Sequence, residues 1–208
     1  TDSVYSRAPR WNADEYITSG FNDAGHSNSH SVTVQQHALG IDDPGNNDWV
    51  ILVYDVHNGG SEAINGYAGV LADFDVVATD RLHDVAFTDA GQATAFMRNV
   101  LSRNRWCGVK LLTHEAAAKL ECIDHERYVY PDSGLSESMK YRIMTGQLGT
   151  QGSDRPYNWS VAVSTGPLSL PQDGDQRVAF AFVAAGDSAT YLDACRRAQD
   201  WYDANVGV

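Results

Sequence analysis

Carboxylates are the residues of this sequence best placed to do chemistry. Asp73 and Asp75 stand two apart in Gly69-Val70-Leu71-Ala72-Asp73-Phe74-Asp75-Val76, and Asp80, Asp84 and Asp89 follow closely. If residues 67–76 form a strand, period two puts Val70, Ala72, Phe74 and Val76 on one face and both Asp side chains on the other. A loop folding back would then gather Asp73, Asp75, Asp80 and Asp84. Hard divalent cations take roughly six to eight such oxygens, so calcium is the metal this grouping would hold. The plainer reading is an acidic, hydrated edge, because the regular spacing of an EF-hand loop is missing.

Other combinations carry weaker signals. Asp73 with Asp75, or Glu115 with Glu121, could form the acid pair of a glycosidase, and Trp11, Trp106 and Trp159 could stack on sugars. A tryptophan within a strand is more often core. No Gly-x-Ser-x-Gly occurs, and Gly60-Ser61, Gly152-Ser153 and Ser164-Thr165-Gly166-Pro167 read as turns. His26 and His30 are four apart, but the Gly, Ser and Asn residues around them argue against the helix a zinc pair would need. No catalytic residue is expected.

The elements that would position these groups are mainly strands. Dense turn chemistry at 42–48 precedes Trp49-Val50-Ile51-Leu52-Val53-Tyr54-Asp55-Val56, a run apolar on both faces and so a central strand. Residues 159–164 and 177–185 read as further strands, 93–101 fits either period, and 1–30 reads as an irregular segment. Residues 106–112 and 120–123 read as the arms of a hairpin. That hairpin would set Cys107 opposite Cys122 within disulfide reach, and closing the loop would contribute about 3 kcal/mol. Ser136 caps a short helix ending before Gly146. A final helix follows Asp187 or Ser188, with Tyr191, Cys195, Ala198 and Tyr202 on one buried stripe, where Cys195 is an inert core thiol. Many strands with helices confined to the later part give a mainly β fold, a two-layer antiparallel β-sandwich in a single domain over 1–208.

Composition narrows the function classes. The 208 residues are 43% hydrophobic, enough for a sizeable core, and the net charge of −12 repels a phosphate backbone, so nucleic acid is not an expected partner. No apolar run approaches the roughly 20 residues a membrane-spanning helix needs. The chain starts at Thr1 with no charged-then-apolar leader, so the expectation is either that a leader has been removed or that the chain is a piece of something longer.

The last third carries Ser164-Thr165-Gly166-Pro167-Leu168-Ser169-Leu170, then Gly174-Asp175, then Val178-Ala179-Phe180-Ala181-Phe182-Val183-Ala184-Ala185-Gly186-Asp187 before the closing helix. Upstream lie Val53-Tyr54-Asp55-Val56-His57-Asn58-Gly59-Gly60 and the 69–76 segment. In this order they resemble a family of bacterial extracellular β-rich modules found C-terminal to subtilisin-like serine proteases and in other large secreted proteins. Phe74 and Leu168 depart from that family's usual Trp and Phe, which are changes of core size.

The resemblance implies a secreted, extracellular or cell-surface accessory module without catalytic activity, partnered by the rest of its precursor. Two alternatives stand beside it. One is a subunit that assembles with copies of itself into a filament or surface layer. The other is a carbohydrate-binding or hydrolytic domain whose site the motifs do not reveal.

Overall fold

The computed structural model describes residues 3–5, 10–102, 104–114, 116–131 and 134–207. In chain order the elements are β1 (Ser3–Tyr5), β2 (Glu15–Asn22), β3 (Val32–Gly40), β4 (Trp49–Asn58), β5 (Ile64–Ala72), β6 (Asp84–Asp89), β7 (Thr94–Asn99), β8 (Trp106–Leu111) and β9 (Lys119–Asp124). They continue with α1 (His125–Tyr128), α2 (Glu137–Met144), β10 (Trp159–Leu170), β11 (Asp175–Ala185) and α3 (Ser188–Asn205). The strands form two antiparallel sheets, β1-β2-β3-β4-β11-β8-β7-β6 and β5-β10-β9. The expected β-sandwich is the observed architecture.

Two central strands explain the layering. In β4 and β11 the apolar side chains alternate between two faces, both largely covered except around Val50 at the start of β4. Trp49, Ile51, Val53, Ala179, Ala181 and Val183 pack with the Tyr191, Ala194, Cys195, Ala198 and Tyr202 stripe of α3. Tyr54, Val56, Val178, Phe180 and Phe182 pack against the small sheet, where Trp159, Val161 and Val163 fill the interior. Fully burying one such side chain contributes about 1.5–3 kcal/mol, so the sheet must be covered on both sides. Asp187 caps α3 by accepting from the Thr190 backbone N–H at 2.8 Å, and Thr190 returns a capping-box bond. Gly108 on β8 is required by packing, because a Cβ there would run into the Tyr191 hydroxyl and the Ala95 carbonyl.

The sheets differ in width. Opposite α3, the face of β2, β3 and the start of β4 extends beyond the small sheet, and Ile17, Phe21 and Val50 stand exposed on it. No helix among the described residues is long and apolar enough to cross a membrane.

Two expectations are corrected here and one open reading is resolved. Residues within 1–30 expected to be irregular instead supply β1 and β2, the two outermost strands of the large sheet, and polar residues dilute the alternation of β2. The run from 93 is the strand β7, paired on both sides. The hairpin of 106–112 with 120–123 does not form: β8 lies between β11 and β7 in the large sheet, and β9 pairs with β10 in the small one. Cys107 and Cys122 therefore sit on different sheets, and both are free thiols, as is Cys195. Burial pushes Cys107 and Cys122 up to about 12, so neither is a thiolate at neutral pH.

Glu121, one of the acids considered for glycoside chemistry, is fully buried on β9. Its carboxylate accepts from the backbone N–H of Leu148 and Gly149, both at 2.9 Å, and of Thr150 at 2.7 Å, pinning that loop to the sheet. Its partner in that pairing, Glu115, lies outside the described residues. Glu121→Ala removes the buried acceptor of three backbone donors and is expected to lower stability by about 1–3 kcal/mol in urea melts. An unshifted midpoint would show that the loop is held by something else.

Candidate functional site

A cleft opens at one end of the sandwich. Asp73, Phe74, Asp75 and Val76 form one wall, and Arg105, Trp106, Cys107, Ala184 and Ala185 form the other, around a volume of about 450 Å³. Beyond Val161, β10 keeps β9 as its partner but loses β5, so β5 ends at Ala72. Asp73 and Asp75 thus stand on the irregular segment after the strand, and both carboxylates reach solvent. Phe74 is anchored edge-on against Phe182 at 6.3 Å between ring centres, which holds that segment over the core.

Behind Asp73 lies a buried histidine. Asp124 ends β9 and caps α1, accepting from the Glu126 backbone N–H at 3.0 Å. The other oxygen of Asp124 takes Arg155 at 2.9 Å and Arg127 at 3.3 Å. This lock places His125, 5% exposed, with Nε2 2.5 Å from the Ser160 hydroxyl and 3.8 Å from the Asp73 carboxylate. Tyr130 meets its ring edge to face at 5.6 Å. Burial is the largest influence on His125 and lowers its pKa; Asp73, Asp75 and Asp124 oppose this, and Arg81 adds to it. The imidazole is therefore neutral at neutral pH.

Ser160, His125 and Asp73 share a neighbourhood without forming a nucleophilic triad. In a triad the acid holds one ring nitrogen and the serine the other. Here Ser160 and Asp73 both approach Nε2, and Ser160 is only 1% exposed, so no substrate carbonyl could reach its hydroxyl. The arrangement instead places a neutral imidazole behind an exposed carboxylate.

The four acids expected to gather around a cation are divided among separate partners. Asp73 turns to His125, and Asp80 pairs with His83 at 2.5 Å. Asp75 is exposed at the cleft, and Asp84 is fully buried. Among the described residues, no three of His, Cys, Asp and Glu converge as a metal-ligand set. The like charges still act on one another: burial foremost, with Asp75 and Asp80 adding, raises Asp84 to about 6, against the hydrogen bond from Asn99 at 3.0 Å. The Val76 backbone N–H also favours its charged form, while among the described residues its second oxygen has no well-aligned hydrogen-bond partner.

The tryptophans divide similarly. Trp159 is core, and Trp11 lies between the Arg10 and Arg177 guanidinium groups at the far side of the large sheet. Trp106 borders the cleft while its ring packs among Phe87 and Phe96.

No family model and no curated protein matches this chain. Its fold does have solved counterparts. A "putative aldose 1-epimerase" from Escherichia coli K12 superposes with a TM-score of 0.52 at 8% identity, over 84% of this chain and 66% of that one. A protein of the same description from Klebsiella pneumoniae gives 0.42 at 9% identity, over 89% and 54%. A TPR-domain containing protein from Parabacteroides distasonis gives 0.36 at 11% identity, over 88% and 34%. The chain thus spans less than two thirds of the length of each of these proteins.

The first likeness overturns the expectation of an accessory module without an active site. That expectation took a sandwich with a filled interior as a passive scaffold, and the same sandwich is the scaffold of a protein named as an enzyme.

His125 and Ser160 were not legible as site residues. His125 stands directly after a strand, and its only local signal is the preceding Asp124, a residue type suited to a helix cap.

Asp84 provides a pH test of this end of the sandwich. Its folded value of about 6 lies above the ordinary 3.8, so between those values the native state keeps a proton that the unfolded chain releases. Its contribution to stability is full below about 3.8 and is lost as pH rises through about 6. That shift corresponds to at most about 3 kcal/mol. Asp84→Asn keeps an acceptor for Asn99 without the charge and is expected to raise the melting temperature above neutral pH while changing little in acid. Parallel melting-temperature curves for the two proteins from acid to neutral pH would refute the assignment.

Proposed function

We propose that this protein is a carbohydrate-acting domain that binds an aldose in the cleft between residues 73–76 and 105–107. The observation that carries the reading is the pairing, in one cleft, of two solvent-reaching carboxylates with an apolar wall, one of those carboxylates backed by a buried neutral histidine. Sugars present hydroxyls around their edge and C–H groups on their faces. Asp73 and Asp75 suit the former as acceptors, Arg105 as a donor, and Phe74 and Val76 suit the latter.

The fold neighbour named as an aldose 1-epimerase supports chemistry at the anomeric carbon. In that reading Asp73 takes the proton of the anomeric hydroxyl while the bond from C1 to the ring oxygen breaks. The ring oxygen gains a proton from water, and reclosure on the other face returns both protons, one to water and one from Asp73 to the anomeric oxygen. His125 acts through Asp73, stabilising its position from behind.

Polarimetry of freshly dissolved aldoses, with calorimetric binding of the same sugars, tests this. Asp73→Asn is expected to abolish any acceleration of mutarotation, and Asp75→Asn to weaken sugar binding about tenfold or more, as loss of a charge-assisted hydrogen bond does. If no aldose binds, or if both variants behave as the parent does, the reading fails.

A further inference from the structure

The outer face of the small sheet carries a groove. In β5 the side chains of Ile64, Ala68, Val70 and Ala72 turn toward the core between the sheets, which leaves Asn65, Tyr67, Gly69 and Leu71 as the outward row. Helix α2 docks beside that row. Its Ile143 packs with Ala162 of β10, and the Ser164 hydroxyl donates to the Met144 carbonyl at 2.8 Å. Between α2 and β5 opens a space of about 550 Å³, lined by Asn65, Tyr67, Glu137, Lys140, Tyr141 and Met144 among others.

Two tyrosines make the groove a corner. Their rings meet edge to face at 6.0 Å and 89°, one serving as floor and the other as wall. Tyr67 is seated by Gly166, which stands in the left-handed region at the register shift of β10, where a Cβ would collide with the Tyr67 ring. Tyr141 projects from α2 and is 57% exposed. Around the rings stand an amide, an acid and an ammonium, namely Asn65 and the Glu137–Lys140 pair at 2.7 Å. Fixed ring faces for C–H groups, with polar groups at their rim for hydroxyls, match the surface of a pyranose.

The same row leads to the cleft. Leu71, 43% exposed, follows Gly69 in the outward row, and Asp73 comes next. Asp73 meets His125 on this side of the small sheet, because Ser160, which His125 contacts, shares the outward face of β10 with Ala162. From Tyr67 to Asp73 the chain covers about 20 Å at the usual rise of a strand. That is too long for one sugar ring and right for a chain of them.

We infer that the substrate of the cleft is the reducing end of an oligosaccharide, whose remaining rings follow the outward row of β5 to the Tyr67–Tyr141 corner. This rests on the sugar reading of the cleft and names its substrate class. A strand is an extended track, so an equatorially linked, ribbon-like chain fits it and an axially linked chain, which coils, does not.

Calorimetry and polarimetry of the full chain with glucose, cellotetraose and maltotetraose test it. Cellotetraose is expected to bind at least about tenfold tighter than glucose. Tyr141→Ala, at an exposed helix position, is expected to erase that gain, in line with loss of an aromatic contact, while glucose binding and mutarotation stay as in the parent. If glucose binds but cellotetraose binds no tighter, if the gain survives Tyr141→Ala, or if maltotetraose gains as much, the inference is overturned and the sugar reading of the cleft stands. If neither glucose nor a tetrasaccharide binds, both are overturned.

Discussion

The structure depends on a sheet that is apolar on both faces. Because β4 and β11 carry large side chains to either side, neither face can be left in water, and the chain spends α3 on one and the β5-β10-β9 sheet on the other. With both broad faces occupied, polar groups that do chemistry are driven to the ends of the strands. Two cavities obey this rule. The acidic cleft forms where β5 stops and β8 starts, and a cavity lined by Lys110 forms where β8 stops.

Desolvation gives each end its character. His125, Asp84 and Lys110 all sit near a strand terminus with little contact to water, and burial is the foremost influence on each, favouring the uncharged form. The exposed groups beside them, Asp73 and Asp75, stay in contact with solvent. A buried imidazole behind an exposed carboxylate arises here from sheets of unequal length meeting at a ragged border.

Much of the scaffold was legible in the sequence, for physical reasons. Doubly apolar runs such as Trp49 to Val56 and 177–185 have one solution, a central strand, and the Tyr191, Cys195, Ala198 and Tyr202 stripe could only be a docked helix. Local signals failed where pairing is set at long range. Nothing near Trp106 or Leu120 says that β8 and β9 belong to different sheets, so symmetry about Thr113 was mistaken for a hairpin and Cys107 for the partner of Cys122. The site was half legible. Asp73 and Asp75 stand out as an acid pair, but His125 and Ser160 meet them only because β9 and β10 run together, 35 residues apart in the chain.

The unequal widths of the two sheets have a consequence for how the molecule behaves in bulk. Ile17, Phe21 and Val50 stand exposed on a face that the smaller sheet does not roof. At net charge −12 the molecules hold one another off at a distance, so that face is shielded by mutual repulsion rather than by architecture. Ionic strength, which shortens the reach of that repulsion, therefore governs how sticky the protein is, even where it leaves the folded interior untouched.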